Sequence, residues 1–325
     1  MSQSEQSLQY FKLNVLKVSK NTDYAVNIDF EIPPNLLPKF KFSAGNHCSL
    51  EFEIEGQKYY RTYSICSSPL ENSLQIAVKR QDGGIISNYI NNAVAQGTQI
   101  SISTPFGNFF DETHLKNKEN LVLWAGGSGI TPTLSILKYC LATDKKINIQ
   151  LVFCNSSQKN IMFLEELNSL ETKFSNFQIK HIISHSEQNN FLIKSFKSWF
   201  LGSEADIKES QILNGRLDIN KIKSLLPSGK SVHYICGPIS MMEFCEKSLI
   251  ELGSDPKDIH LEYFATKKEN DVLYSTGQKV PKTGNYICMN CGFIQHFQKG
   301  ENFTVCPVCL AGEDDPDYEL WKFHE

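Results

Sequence analysis

The hydropathy pattern of this chain changes period near Asn120, and no other feature restricts its fold as much. From residue 8 to about 113, short runs rich in β-branched and aromatic residues recur: Phe11 to Val18, Tyr24 to Phe30, His47 to Ile54, Lys58 to Cys66, Leu74 to Arg80 and Gln99 to Ser103. Pro33-Pro34-Asn35, Gly45-Asn46 and Gly56 punctuate them, which is the pattern of an antiparallel sandwich or barrel, and Ile85 to Val94 reads as helix. Beyond Asn120, apolar runs short enough for buried parallel strands (Leu121–Ala125, Ile149–Cys154, Gln178–Ile183, Val232–Cys236, Ile259–Phe264) alternate with helical stretches (Pro132–Thr143, Ile161–Phe174, Ile239–Leu252). Such alternation implies an α/β sheet covered on both faces, with ligands at the carboxyl ends of its strands.

A length of 325 residues exceeds one ordinary core and accommodates two larger domains plus a small third. The third is marked by Cys288-Met-Asn-Cys291-Gly292 and, thirteen residues on, Cys306-Pro-Val-Cys309. Two Cys-x-x-Cys pairs at that spacing offer four thiolates to iron or zinc. Between them and the α/β region, residues 266–283 are polar and punctuated by Pro and Gly, and read as a linker able to span on the order of 25 Å. Residues 284–325 carry Lys299 and Lys322 against Glu301, Glu313, Asp314, Asp315, Asp317, Glu319 and Glu325, an acidic surface that phosphate backbones would repel. With no basic stretch elsewhere, nucleic acid is not an expected partner.

The first residues, Met-Ser-Gln-Ser-Glu-Gln-Ser, lack a basic region followed by an apolar run, and no segment is apolar enough for a membrane span. The expected location is the cytoplasm, the expected state a monomer. In a reducing compartment Cys48, Cys66, Cys140, Cys154 and Cys245 read as buried small hydrophobes rather than disulfides.

Three segments carry candidate chemistry. Gly126-Gly127-Ser128-Gly129-Ile130-Thr131-Pro132 follows a strand and opens a helix, so its amides can approach a diphosphate. Arg61-Thr62-Tyr63-Ser64 ends a strand with a guanidinium, an aromatic face and a hydroxyl, a set that could hold a flavin. Val78-Lys79, followed by Gly83, Gly84 and Ser87, adds glycines and a helix start for phosphate oxygens.

In order and spacing these segments, with Pro105-x-Gly107, Cys236-Gly237-Pro238 and Glu262-x-Phe264, resemble the ferredoxin–NADP reductase family, and within it the reductases of bacterial oxygenases of the phenylacetyl-CoA epoxidase type. The resemblance spans about residues 8–265. It implies a multi-domain α+β protein: an antiparallel Greek-key β-barrel for FAD (1–113), an α/β parallel sheet for NADH or NADPH (114–265) and, after the linker, a small four-cysteine metal ribbon (284–325). Carried over residue by residue, it places Arg61, Thr62, Tyr63, Ser64, Val78, Lys79, Gly83, Gly84, Ser87 and Phe264 at FAD. Gly126, Gly127, Gly129, Thr131, Pro132, Asn155, Cys236, Gly237, Pro238 and Met241 fall at the nicotinamide nucleotide. Ser64 would bond flavin N5, Cys236 would sit beside the hydride-donating carbon, and Glu262 would complete the hydrogen-bonding environment.

Two departures stand out. After Asn155 the chain reads Ser156-Ser157-Gln158-Lys159, without the Arg that NADPH-using relatives commonly place there, which leans toward NADH. The plant-type ferredoxin pattern that usually ends such oxygenase reductases is absent, and the terminal module instead resembles rubredoxin in its shortened, rubrerythrin-type form. The expected function is an NAD(P)H-dependent flavoprotein passing electrons through an Fe(Cys)4 centre at Cys288, Cys291, Cys306 and Cys309 to a protein acceptor such as an oxygenase, hydroxylase or desaturase. The alternative is a structural zinc ribbon used for docking, with electrons leaving FAD directly.

Overall fold

The computed structural model of the chain describes residues 9–54, 56–81, 84–144, 146–184, 207, 211–264, 273–288, 294–305 and 319–324. Its strands form three sheets. The first contains β1 (Tyr10–Thr22), β2 (Ala25–Glu31), β3 (His47–Ile54), β4 (Gln57–Ser64), β5 (Leu74–Lys79) and β6 (Gln99–Ser103), in the order β4-β3-β6-β1-β2-β5. Every pairing in it is antiparallel. Period-two alternation decides the faces: Leu13 and Val15 are buried, while Lys12, Asn14 and Leu16 between and beside them are exposed. The two edge strands meet just beyond β4, where Ile65 bridges Ile76 and the Cys66 N–H donates to the Gln75 carbonyl at 2.9 Å, so the sheet curls onto itself. Helix α1 (Ile85–Ala93) inserts Ile86 and Ile90, one turn apart, into the same core.

The second sheet is parallel throughout, in the order β10-β9-β8-β7-β11-β12. Its strands are β7 (Asn120–Gly126), β8 (Asn148–Asn155), β9 (Phe177–Ile183), β10 (Ile212–Asn214), β11 (Ser231–Cys236) and β12 (Ile259–Glu262). In β7, Leu121, Leu123 and Ala125 join one core, with α2 (Ile130–Thr143) and α3 (Leu164–Lys173) on that side. Val122 and Trp124 join the opposite core with α4 (Ile219–Leu225) and α5 (Ile239–Glu251). A strand covered on both faces needs a continuous apolar run, which is why Leu121–Ala125 does not alternate. Strand β10 and helix α4 are additions to the sequence reading; both are too short for a resolvable period, and α4 is set by its cap, Asp218, which accepts the Lys221 N–H at 2.8 Å.

Helix α2 is buried on nearly every side because it lies between the two sheets. Ala25, Ala44, Cys66, Ala77 and Phe109 from the first-sheet region share its core. Polar ties fix the arrangement: Ser135 Oγ donates to the Ser67 carbonyl at 2.7 Å, and Lys138 Nζ lies 3.1 Å from both Glu71 and Glu166.

The third sheet, β13-β16-β14-β15, is antiparallel and comprises β13 (Leu273–Ser275), β14 (Gly284–Cys288), β15 (Ile294–Phe297) and β16 (Glu319–His324). Part of the stretch read as linker belongs to it. Leu273–Ser275 pairs with β16, the Gly277 N–H donates to the Phe303 carbonyl at 2.7 Å, and Val280 is buried. Three strand residues beside a polar turn give no periodic signal, and their partner lies over forty residues away in sequence. The flexible span expected of residues 266–283 therefore does not extend over 273–283.

Candidate active site

Antiparallel pairing puts His47, the first residue of β3, opposite Ser64, the last of β4. Parallel pairing puts Cys236, the last residue of β11, opposite Glu262, the last of β12. These two strand-end pairs face each other across the junction of the sheets, where His47 Nδ1 lies 3.2 Å from Glu262 Oε1. Ser64 and Cys236 are buried, 5% and 0% exposed, and the His47 and Glu262 side chains are each under 20% exposed. Three residues expected at the reacting atoms, Ser64, Cys236 and Glu262, thus surround one crevice. Burial, with the Glu262 carboxylate adding to it, pushes the Cys236 thiol well above its ordinary range, so it is a neutral thiol rather than a nucleophile.

Two close approaches hold the crevice in shape. A Cβ on Gly129 would fall 2.1 Å from the Cys236 carbonyl oxygen, so only glycine lets the turn after β7 pass over the end of β11. At Gly107, with φ +112°, a Cβ would fall 2.9 Å from the His47 ring. That ring also meets Phe106 edge-on at 4.3 Å, and His47 and Phe106 exchange both backbone hydrogen bonds at 2.9 Å. His47 and Phe106 were not singled out by sequence. The available signal was register: a strand starting at His47 that pairs with one ending at Ser64 makes the two ends neighbours.

The remaining expected residues lie around this centre. Arg61 and Thr62 are exposed on β4, the Arg61 guanidinium donating to the Tyr60 carbonyl at 2.8 Å, while Tyr63 is half-buried. Val78 is buried and Lys79 half-buried at the end of β5. Gly84 caps α1, and Ser87 Oγ accepts the Gln81 N–H at 3.0 Å. Gly126, Gly127 and Gly129 form the turn between β7 and α2, whose first residues include Thr131 and Pro132. Gly237 and Pro238 lead from β11 into α5, where Met241 sits in the first turn. Asn155 ends β8, and Phe264, half exposed, follows β12. Gly83, Cys291, Cys306 and Cys309 lie outside the described residues; Cys288 ends β14. Among the described residues no metal-ligating group forms, and no helix is long and apolar enough to cross a membrane.

The crevice suits two cofactors, each with a diphosphate. On the first sheet the exposed guanidinium of Arg61 and the α1 N-terminus at Gly84 could offer charge and amides to one of them, and Ser64 a buried hydroxyl. On the nucleotide side Asn155 is 7% exposed, yet neither its amide nitrogen nor its oxygen has a partner among the described residues. A buried carboxamide left unpaired is costly, and a ribose hydroxyl or phosphate at the carboxyl ends of the strands would satisfy it.

Comparison with known proteins identifies the two cofactor domains. Residues 14–110 match the oxidoreductase FAD-binding domain family and residues 123–247 the oxidoreductase NAD-binding domain family. A 1,2-phenylacetyl-CoA epoxidase subunit from Escherichia coli K12 is 31% identical over 281 residues, covering 83% of this chain and 73% of that protein. The chain also matches flavohemoproteins, of whose length it spans 51–60%. In fold, it is similar to a ferredoxin NADP+ reductase from Neisseria gonorrhoeae (TM-score 0.62, 19% identity, 78% of this chain and 98% of that one). It is similar too to phthalate dioxygenase reductase, described as a modular structure for electron transfer from pyridine nucleotides to [2Fe-2S] (TM-score 0.57, 20% identity, 90% and 77% covered). The chain belongs to the ferredoxin–NADP reductase family and is an FAD- and NAD-binding oxidoreductase.

Proposed function

We propose that this protein is the reductase of a multi-component system, taking electrons from NAD(P)H and delivering them to a protein acceptor of the oxygenase, hydroxylase or desaturase class. The observation that carries the reading is the meeting of Ser64 and His47 with Cys236 and Glu262 across two sheets, since hydride transfer requires donor and acceptor atoms held near contact in a site closed to water. The relative from Escherichia coli, part of an epoxidase, supports an oxygenase as acceptor. When bound, nicotinamide would supply hydride chemistry, flavin the exchange between two-electron and one-electron transfer, and a metal held by Cys288, Cys291, Cys306 and Cys309, if iron, single-electron transfer.

The chain's own residues do the positioning. Ser64 presents its hydroxyl to the flavin's reactive nitrogen, and Arg61, Gly84 and Ser87 receive the flavin phosphates. The neutral Cys236 thiol packs against the nicotinamide without competing as a nucleophile. Glu262 and His47 close the crevice and supply a carboxylate and an imidazole to hold a proton at its rim. In this reading Cys288, Cys291, Cys306 and Cys309 would form the outlet, a soft donor set whose chemistry fits iron or zinc.

Cys306→Ser is the test. Transfer to the acceptor protein should fall at least about a hundredfold with loss of the metal, while NAD(P)H-to-ferricyanide activity stays within about twofold of wild type. Equal loss of both activities would argue against a separate terminal carrier. A native protein holding one zinc, with acceptor reduction untouched by metal removal, would replace the iron outlet with a docking ribbon.

A further inference from the structure

The turn between β1 and β2 belongs to the flavin-side sheet, yet one of its side chains serves the other sheet. Pairing of the two strands slips by one residue between Lys20, opposite Val26, and Thr22, opposite Ala25, so Asn21 is an extra residue in the ladder. A bulge of this kind re-aims a side chain. The half-buried Asn21 donates from Nδ2 to Asn27 Oδ1 at 2.7 Å, which fixes the direction of its carboxamide. Its own Oδ1 then accepts the Phe163 N–H at 2.9 Å, a bond between residues 142 positions apart. Phe163 stands at the start of α3, in the parallel-sheet half of the molecule.

Phe163 needs that acceptor. It is the N-cap of α3 with φ +59° and ψ +26°, left-handed backbone that a bulky side chain rarely adopts. In a capping box the N-cap N–H is accepted by an acidic side chain at the third helical position. Here that residue, Glu166, pairs with Lys138 at 3.1 Å instead, and Asn21 supplies the oxygen from a distant strand. Ile161, Met162 and Phe163 are buried in the core shared with α2, so strained backbone is held by packing on one side and by Asn21 on the other. What precedes Phe163 gives the tie its meaning. Strand β8 ends at Asn155, whose two amide atoms lack partners among the described residues, and only residues 156–162, with a 3-10 turn over Gln158–Asn160, separate it from Phe163. In doubly wound sheets the end of the strand that follows the glycine turn is where the ribose next to the adenine is read. The loop beyond that end is therefore anchored at one side by β8 and at the other by a residue of the flavin-side sheet.

We propose that Asn21 is a positioning residue for the adenosine half of the nicotinamide dinucleotide, holding from the flavin-side sheet the far end of the loop that follows Asn155. This rests on the assignment of the crevice to a nicotinamide dinucleotide. Asn21 touches no reacting atom; it keeps the loop ordered before the nucleotide arrives, so that less ordering is left to be done on binding. Its influence falls on affinity for the adenosine half and spares the chemical step.

The experiment compares the full-length protein with Asn21→Ala and Asn21→Asp. FAD per chain is measured by absorbance, ADP-ribose affinity by calorimetry, and flavin reduction by stopped flow with NADH and with reduced nicotinamide mononucleotide, which lacks the adenosine half. Asn21→Ala should keep the wild-type FAD content, bind ADP-ribose about three- to tenfold more weakly, and raise the NADH concentration for half-maximal reduction by a similar factor. Its limiting rate with NADH and its rate with the mononucleotide should both stay within about twofold of wild type. Asn21→Asp keeps an oxygen for the Phe163 N–H and should recover most of the ADP-ribose affinity. Equal slowing with both donors, or loss of FAD, would mean that the bond serves only the packing of the two sheets, and unchanged ADP-ribose affinity would leave Asn21 no role in binding; each result overturns the proposal alone. Wild-type protein that binds no ADP-ribose would instead overturn the assignment of the crevice itself.

Discussion

Strand β7 buries every residue from Asn120 to Gly126 between two layers of helices, whereas the terminal sheet closes over a few aromatic rings, Tyr286, Phe297, Phe303 and Trp321. Those rings meet edge-to-face at 4.8 to 5.9 Å. The parallel sheet shares its core with α2 and through it with the flavin-side sheet, so removing one side chain leaves many others in contact. Among the described residues the terminal sheet has no comparable reserve, and a unit of about fifty residues lies in the size range where an apolar core is commonly supplemented by a metal or disulfide. One region is stable because it is large and dry; the other rests, among the described residues, on a ring cluster and, in the proposed function, on a metal held by four thiolates. Failure in the second should leave the first able to react.

Substitutions in the two cores put this contrast under the greatest load. Trp321 is fully buried and its Nε1 donates to the Thr304 carbonyl at 2.7 Å. Trp321→Ala should cost about 3–5 kcal/mol, enough to unfold the terminal sheet; on the proposed function it should also abolish metal content and delivery to the acceptor, while ferricyanide reduction by NAD(P)H persists. Flavin loss in that variant would break the contrast. Leu123→Ala, in the middle of β7, should cost about 2–5 kcal/mol and act the other way, lowering the main thermal transition and the flavin content together.

Acid gives a smaller and graded test. His181 and His233 are buried in the parallel sheet, and burial lowers each from the ordinary 6.5 to about 4. His233 is held neutral as it accepts the Trp124 Nε1–H at 3.3 Å. Between these values the unfolded chain binds protons that the folded one refuses. Stability of this sheet is therefore full above about pH 6.5, declines as pH falls toward 4 and then levels off, by at most about 3 kcal/mol per imidazole. Melting curves from pH 7.5 to 4.5 should show that decline, and His233→Gln should flatten it; an unchanged slope would mean that another group titrates.

Much of the architecture was legible because long elements repeat their period. Phe11–Val18 and Leu121–Ala125 declare different sheets, one alternating and one continuously apolar, and β3 and β6 fall on the residues expected. Short pieces were not legible: Leu273–Ser275 and Ile212–Asn214 become strands only through partners distant in sequence. At the crevice the divide is similar. Ser64, Cys236 and Glu262 stand in recognisable motifs. His47 carries no motif, and its importance comes from register and from the ring of Phe106 that fixes it. Lys79 was placed at the flavin by its motif, but its ammonium lies near the turn at Gly127, a direction that depends on how the two sheets pack and that no local pattern encodes.

Anaerobic titration of the purified protein with NADH, followed by visible absorbance, tests the meeting of the two sheets at a single crevice most directly. A protein carrying one FAD per chain, whose flavin absorbance is bleached by about one equivalent of NADH, or about one and a half where a ferric centre takes a third electron, and much more slowly in Cys236→Ala, is the predicted result. A colourless protein without flavin, or a bound flavin that NADH and NADPH both leave oxidised, would contradict it.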